Sequence, residues 1–254
     1  MVQRAPALYG LARSRWWLAG VQQTIAWLGP LSIAGVWQLL ARLDIHYKRG
    51  RHYTHSPDLA YDDKLALIAQ AYEAAWLNPQ QVVFLYQDEF TYYRYPLLAN
   101  EYGQAGHDDV RASLDYTKNR RMRLAACLDA LTGRVLVQQA TTFPVSTLLG
   151  FFRSVEAAYP LAKRIYVVLD NWPVHLHPTL LASLQHSKLV FLPLPTYAPW
   201  LNPTEKVWLK LCQDVLYLHR FQDDWLALQQ RVLTWFDQFA LGSPALLKFV
   251  GLLV

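Results

Sequence analysis

The stretch that most constrains the fold of this chain runs from residue 164 to residue 210. It begins with an apolar run over residues 165–169 that is aliphatic and β-branched without alternation, and such a run predicts a strand buried on both faces. A polar loop, a second apolar run over residues 189–192 and a proline-rich turn before a helix follow. This succession predicts an α/β sheet, in which ligands bind at the carboxyl ends of the strands. Asp170 stands at such an end.

Glu205 lies where the helix begins, and two roles fit it. Asn202 can cap the helix and Pro203 suits its first position, so Glu205 falls three residues after the cap, as in a capping box. At 100° per residue, however, Glu205 also lies at the rim of the apolar face of the helix. From there its side chain can point at the sheet end that carries Asp170. The sequence leaves both roles open.

A further acid follows another apolar run. Residues 81–89 predict a strand that ends in Asp88 and Glu89. An acid after a strand is often a turn former, yet two strands ending this way in one domain would be a modest coincidence by chance. Three converged carboxylates (Asp88, Asp170 and Glu205) would repel one another unless cations neutralise them. Hard divalent ions do this, and a pair of them suits in-line attack on a phosphodiester.

The positive charge of the chain is concentrated at its N-terminus. Residues 1–58 contain seven Lys/Arg and two Asp/Glu, whereas residues 59–254 contain seventeen of each. The surplus indicates an anionic partner for the N-terminal segment. Cys127 and Cys212 are the two cysteines and lack ligand-like spacing, so we expect neither a disulfide scaffold nor a zinc site, and a reducing compartment.

Residues 1–58 predict short helices. One covers residues 18–28 and is broken at Gly29-Pro30, and Ser32 is a candidate N-cap for a second helix. Two short helices joined by a tight glycine-containing turn fit a helix-turn-helix, although any helical hairpin gives the same pattern. Its outward face offers Gln38 and Arg42 as base readers.

Two basic segments are candidates for contacts with phosphates. Residues 46–55 suit either a phosphate-tracking arm or a solvated linker. A second cluster precedes a β-hairpin predicted over residues 124–141; it either solvates the hairpin or touches DNA, and the anionic partner favours DNA. The cations of the two segments are Lys48, Arg49, Arg51, Lys118, Arg120, Arg121 and Arg123.

Two other interpretations are weaker. Residues 16–41 carry no charge and are long enough to span a bilayer, but polar residues and Gly29-Pro30 interrupt them, so we expect no membrane span. His175 and His177 form a His-x-His pair that can bind a metal, yet they lie on a proline-flanked loop without another nearby ligand.

Three sequence blocks together resemble a known family. They are Gln87-Asp88-Glu89, then Leu169-Asp170-Asn171 with His175, and then Leu194-Pro-Thr-Tyr-Ala-Pro199 through Leu201-Asn-Pro-Thr-Glu205 with Trp208. With 34 residues between Asp170 and Glu205, the chain resembles DDE transposases of the mariner superfamily, in the bacterial insertion-sequence branch. The blocks cover about residues 80–215, and residues 36–51 resemble the family's last DNA-binding helix and basic linker.

The resemblance implies an α/β fold, with a ribonuclease-H-like catalytic domain over residues 59–254 behind a shortened helix-turn-helix segment and basic linker over residues 1–58. It implies a DNA transposase that cleaves and transfers strands of a mobile element. The implied catalytic, metal-binding triad is Asp88, Asp170 and Glu205, and the implied supporting residues are Glu89, Asn171, His175 and Asn202. Two Mg²⁺ ions (or Mn²⁺), double-stranded DNA, a homodimer on DNA and the bacterial cytoplasm complete the expectation.

The chain departs from the family pattern in two places. Family members commonly carry two helix-turn-helix units, and this chain has room for about one. Trp200 also stands where the family usually has a polar residue. The alternatives are a catalytically silent DNA-binding remnant and a metal-dependent nuclease without strand transfer.

Overall fold

A computed structural model describes residues 4–47, 55–102, 111, 112, 114 and 119–253. The chain divides into two compact units, Met1–Thr54 and His55–Val254. The sequence placed the boundary at residue 58, and the structural division falls shortly before it. Ser56 and Asp58 are hydrogen-bonded to Thr196 and so belong to the larger unit.

The N-terminal unit contains two α-helices, α1 (Leu18–Thr24) and α2 (Ile33–Arg42). Ser32 caps α2 as predicted, since its side chain accepts a hydrogen bond from the Gly35 amide. The predicted tight turn is wrong, because residues 25–32 include a 3₁₀ turn, Ala26–Leu28, that buries Leu28 in the small core. None of the described helices is long and apolar enough to cross a bilayer.

The larger unit is built on one five-stranded sheet. Its strands are β1 (Val82–Tyr93), β2 (Arg121–Asp129), β3 (Val135–Ala140), β4 (Arg164–Leu169) and β5 (Leu189–Pro193). The spatial order is β3-β2-β1-β4-β5. The first three strands are antiparallel, whereas β4 runs parallel to both β1 and β5. The predicted buried strand, second strand and hairpin are confirmed as β4, β5 and β2–β3.

One prediction about β1 is wrong. The strand does not end at Asp88 but continues to Tyr93, because β2 pairs with it along that length and places Ala126 opposite Asp88. The parallel register nevertheless pairs Tyr86 with Val168, so that Asp88 lies level with Asp170. The two acids therefore share one edge of the parallel half of the sheet, although only one of them follows a strand end.

Helices cover both faces of the sheet. They are α3 (Tyr61–Leu77), α4 (Val145–Ala157), α5 (Pro178–Ser183), α6 (Thr204–Leu211), α7 (Trp225–Asp237) and α8 (Pro244–Val250). One face packs on α4 and α5 through residues such as Leu85, Val167 and Phe152. The opposite face packs on α3, α6, α7 and α8. Because strand side chains alternate between faces, neighbouring residues of β1 serve different layers.

Candidate active site

Asp88 reaches the site from the middle of β1. Its Oδ2 accepts a 2.9 Å hydrogen bond from the Trp208 indole nitrogen, and its Oδ1 accepts one from the Glu89 amide. Burial raises the pKa of Asp88 to about 7, and the negative charges of Glu205 and Glu89 add to this, while the Trp208 hydrogen bond opposes it. The two hydrogen bonds fix the position of this carboxyl group, but burial and the nearby negative charges disfavour its ionised form.

Asp170 is in the opposite electrostatic situation. It follows β4 directly, and its Oδ1 accepts the Trp172 amide at 3.0 Å and lies 3.1 Å from His175 Nδ1. Partial burial would raise its pKa, but the hydrogen bonds from His175 and from the Trp172 amide outweigh it and lower the pKa below its usual value. Asp170 is therefore stabilised as an anion at the sheet edge.

His175 is the group that stabilises it. The ring is fully buried, and its Nε2 lies 3.0 Å from Glu89 Oε1, so the imidazole bridges Glu89 and Asp170. Burial alone would lower the pKa of His175, but its bonds to the two carboxylates raise it to about 9. Glu89 also accepts a hydrogen bond from the Gln87 amide group.

Ligand atoms of Glu89, Asp170 and His175 also lie within 4.8 Å of one another, close enough to hold a metal ion. Both ring nitrogens of His175 already face carboxylates, however, and an imidazolium neutralises the pair without a metal. The His-x-His alternative is not supported either, because His177 Nδ1 accepts the Thr179 amide and caps α5. We therefore interpret Glu89 and His175 as supports of Asp170.

Glu205 is not bound as a capping-box residue. Asn202 does lie just before α6, where its Oδ1 accepts the Thr204 amide at 3.2 Å. Its backbone amide, which Glu205 would have to bind in a capping box, donates instead to the Pro199 carbonyl at 2.9 Å. The pKa of Glu205 is raised, first by partial burial and then by the charge of Asp170. The side chain lines the same cavity as the two aspartates.

This cavity has a volume of about 400 Å³. The side chains of Asp88, Asp170 and Glu205 line it together with Asn171 and Asn202, and the segment 194–199 forms another wall. Among the residues that the structure describes, its lining contains no lysine or arginine. The pKa values of Asp88 and Glu205 are raised, whereas Asp170 is kept anionic by His175. Together the three carboxyl groups form an oxygen-rich site that fits a hard divalent ion.

All four predicted supporting residues belong to this arrangement. Asn171 donates to the Leu194 carbonyl at 2.8 Å, and Asn202 donates to the Gln87 carbonyl at 3.0 Å, so each ties two parts of the site together. Gln87 and Trp208 entered the sequence analysis only as members of the family blocks, without a role; their side chains hold Glu89 and Asp88. A buried tryptophan three residues after Glu205 was a usable signal, because a buried indole N–H needs an acceptor.

The predicted DNA contacts fall into three groups. Gln38 and Arg42 are exposed four residues apart on α2, and Arg120 and Arg121 are exposed at the start of β2. Arg123 is half-buried, with its guanidinium carbon 5.2 Å from the ring centre of Trp172, which lines the cavity. Lys48, Arg49, Arg51 and Lys118 lie outside the described residues.

The chain is similar to several known proteins. A protein-family model described as DDE superfamily endonuclease matches residues 83–225. The chain is 23% identical over 233 residues to the insertion element IS630 uncharacterized 39 kDa protein of Shigella sonnei, which covers 91% of this chain and 66% of that protein. The chain thus spans about two thirds of the length of this relative.

Two solved structures have a similar fold. The Mos1 transposase paired-end complex with left transposon end matches with a TM-score of 0.64 and 17% identity, over 91% of this chain and 69% of that one. The mariner Mos1 paired end complex with Mg matches with a TM-score of 0.63 and 16% identity, over 96% and 78%. The predicted ribonuclease-H-like fold is confirmed by this likeness.

Proposed function

Because the chain belongs to the family of DDE superfamily endonucleases, we propose that it is a DNA transposase that cleaves and transfers the strands of a mobile element. The observation that carries the proposal is the cavity lined by Asp88, Asp170 and Glu205. The Mos1 structures with a similar fold are named as transposase complexes, and the Shigella sonnei relative is named as a protein of an insertion element.

Asp88, Asp170 and Glu205 would hold the metal ions, which we propose to be two Mg²⁺ or Mn²⁺ ions. Similar structures include the Mos1 paired end complex with Mg and the one with Mn, and carboxylate oxygens are ligands that both ions accept. When bound, such a pair supplies an activated water or 3′-hydroxyl and stabilises the leaving oxygen of the phosphodiester. The raised pKa values of Asp88 and Glu205, caused first by burial and then by the charges of neighbouring carboxylates, support this assignment.

The side chains around the acids fix their geometry. The Trp208 indole orients Asp88, and the buried Glu89–His175 pair orients Asp170 and keeps it anionic. This leaves the Asp170 carboxylate facing the cavity with its charge available for a cation. The role corresponds to the outer hydrogen-bonding partners that orient metal ligands in proteins.

DNA is the proposed partner, with a homodimer assembled on it. The positive surplus of residues 1–58 supports DNA binding by the N-terminal unit, through Gln38 and Arg42 at base edges and Lys48, Arg49 and Arg51 at phosphates. Lys118, Arg120, Arg121 and Arg123 would contact phosphates of the strand being cut. A paired-end complex is named for Mos1, and the bacterial cytoplasm stays our prediction for the location.

Conservative replacement of two acids tests the proposal. The substrate is a supercoiled plasmid carrying the reading frame with its flanking DNA, and nicking, linearisation and strand transfer are followed in Mg²⁺. Glu205→Gln and Asp170→Asn keep the shape of the side chains but remove charge, so we expect cleavage to fall by orders of magnitude while binding in EDTA stays unchanged. Glu73→Gln, which changes an exposed residue of α3, is the control.

The same assay separates the alternatives. If the parent cleaves and Glu205→Gln cleaves equally well, Glu205 only caps its helix and the triad is incorrect. If the parent cleaves but never joins a strand to target DNA, the protein is a nuclease without strand transfer. A parent that binds the plasmid but never cuts it, in Mg²⁺ or Mn²⁺, is a DNA-binding remnant.

A further inference from the structure

One wall of the catalytic cavity is the loop 194–199, whose last residue begins a 3₁₀ turn, between β5 and the helix that carries Glu205. Within it, Tyr197 has a φ of 55°, in the left-handed region that a residue with a side chain rarely adopts. Such a conformation costs free energy and persists when surrounding contacts impose it. The wall therefore needs partners that hold it.

Those partners come from the segment 56–64, which begins the larger unit. Asp58 Oδ2 accepts the Thr196 amide at 2.8 Å, and the Thr196 hydroxyl lies 3.3 Å from the same oxygen. The Ser56 hydroxyl donates to the Thr196 carbonyl at 2.5 Å. Both backbone polar groups of Thr196 are thus bound by residues that lie about 140 positions earlier in the chain.

Asp58 is itself fixed in place. Lys64 Nζ lies 2.8 Å from Asp58 Oδ2, and the Ala60 amide donates to Oδ1 at 3.0 Å. The side chain of Asp58 is 11% exposed, and the hydrogen bond from Lys64, followed by those from the Thr196 and Ala60 amides, lowers its pKa well below the usual range. Lys64 also reaches the Leu194 carbonyl at 3.4 Å. The carboxylate therefore joins α3 to the cavity wall.

A purely local role does not account for these contacts. The bond to the Ala60 amide forms a turn before α3, as aspartates often do. The bonds to Thr196 contribute nothing to that turn, because they cross to another part of the fold. On the other side, Asn171, which follows the catalytic Asp170 in the chain, donates to the Leu194 carbonyl. The wall is therefore held between the segment 56–64 and Asn171.

We propose that Asp58 is a positioning residue of the catalytic cavity, which holds Thr196 and through it the wall 194–199 against the three acids. The inference rests on the proposed function, since DNA cleavage is its catalytic readout. Because the hydrogen bonds are to an ionised acceptor, they belong to the stronger class of hydrogen bond. Loss of the charge should loosen the wall without removing any metal ligand.

Asp58→Asn tests this in the full-length protein. We expect the Thr196 amide, which donates to Asp58, to exchange hydrogen at least tenfold faster, since a charge-assisted bond holds it closed. Plasmid cleavage in Mg²⁺ should slow by about tenfold or more, because a slightly misplaced site loses rate steeply. The Kd for the plasmid in EDTA should stay unchanged, so that the defect lies in kcat and not in binding.

Asp62→Asn is the matched control, because Asp62 is an exposed acid in the first turn of α3 and its replacement changes the same charge. It should leave exchange and cleavage at parent values. Thr196→Val, which removes the 3.3 Å hydroxyl contact but keeps the amide bond, should give a smaller effect than Asp58→Asn.

Each outcome decides between distinct statements. Unchanged exchange of the Thr196 amide in Asp58→Asn shows that Asp58 does not hold the wall 194–199 and overturns the proposal. Faster exchange with an unchanged cleavage rate overturns the positioning role and leaves a purely structural contact. A parent that cleaves no DNA overturns the proposed function and, with it, the role of Asp58 in catalysis.

Discussion

Replacing Asp88 by asparagine should stabilise the metal-free protein at neutral and alkaline pH. Asp88 has a pKa of about 7 in the folded protein, against 3.8 for a free side chain. The folded state therefore binds a proton more tightly than the unfolded state, and stability falls as the pH rises from about 4 to about 7. Above that range the buried carboxyl group is ionised, and it lowers the free energy of unfolding by the full amount.

The magnitude follows from the size of the shift. A difference of roughly three pKa units corresponds to about 4 kcal/mol of stability lost at pH 8. An asparagine in place of Asp88 is uncharged, like the protonated acid, and the Trp208 hydrogen bond is already contained in the pKa of about 7. We therefore expect Asp88→Asn to exceed the parent by about 3–4 kcal/mol at pH 8, and to be no more stable than the parent at pH 4.

Urea unfolding of both proteins in EDTA across pH 4–8 measures this difference. Asp62→Asn, at an exposed position of α3, controls for the change in net charge, and its stability difference from the parent should not grow with pH in this way. A difference between Asp88→Asn and the parent that stays constant from pH 4 to pH 8 would show that the carboxyl group is not destabilised by burial, and our account of the site would fail.

Two other predictions concern the N-terminal unit and a turn. Deleting residues 1–54, which leaves Ser56 and Asp58 in place, should flatten the dependence of log Kd for DNA on log salt concentration, because fewer phosphates are neutralised; an unchanged slope would show that the larger unit is the main DNA binder. Gly133→Ala should destabilise the protein by about 2 kcal/mol or more, because Gly133 has a φ of 71° and a Cβ there would collide with the Ser243 carbonyl. Gly150→Ala, within α4 and without a nearby atom in the way, should instead be neutral or stabilising in thermal unfolding, and equal effects of the two changes would contradict the argument.

Local patterns in the sequence predicted those parts of the fold that local patterns determine. The apolar run without alternation before Asp170 indicated β4, and the position of Ser32 before an apolar periodic segment indicated that it caps α2. The length of β1 was not predictable in this way, because residues beyond Asp88 are strand only through their pairing with β2. On α2, Ile33 and Trp37 fit the apolar face by spacing, yet they are 43% and 59% exposed, since the packed side is formed by Val36, Leu39 and Leu40.

The candidate site shows the same limit. Sequence spacing indicated the three acids, but their partners are brought together from distant positions, as with Trp208 at Asp88 and Asp58 at Thr196. Apolar periodicity carries no information about which polar atom a side chain will meet across the sheet. The choice between capping and metal binding for Glu205 was open for this reason. The backbone hydrogen bond from Asn202 to Pro199 argues against a capping box, and metal binding stays our proposal.

The adjacent acids Asp88 and Glu89 illustrate how one strand can serve a site from two sides. Because neighbouring side chains of a strand point to opposite faces, Asp88 meets Trp208 of α6, whereas Glu89 meets the buried His175 on the other face. Glu89 acts on Asp170 through His175, whose imidazolium lies between the two carboxylates at the sheet edge. Two carboxylates that would repel each other as joint ligands are thus separated by the sheet: Asp88 borders the cavity, and Glu89 balances the imidazolium that keeps Asp170 anionic. Glu89→Gln should therefore lower the pKa of His175 from about 9, because one of its two carboxylate partners loses its charge, while the Asp88–Trp208 bond stays intact. NMR titration of the His175 ring protons measures this, and an unchanged pKa would contradict the role of Glu89.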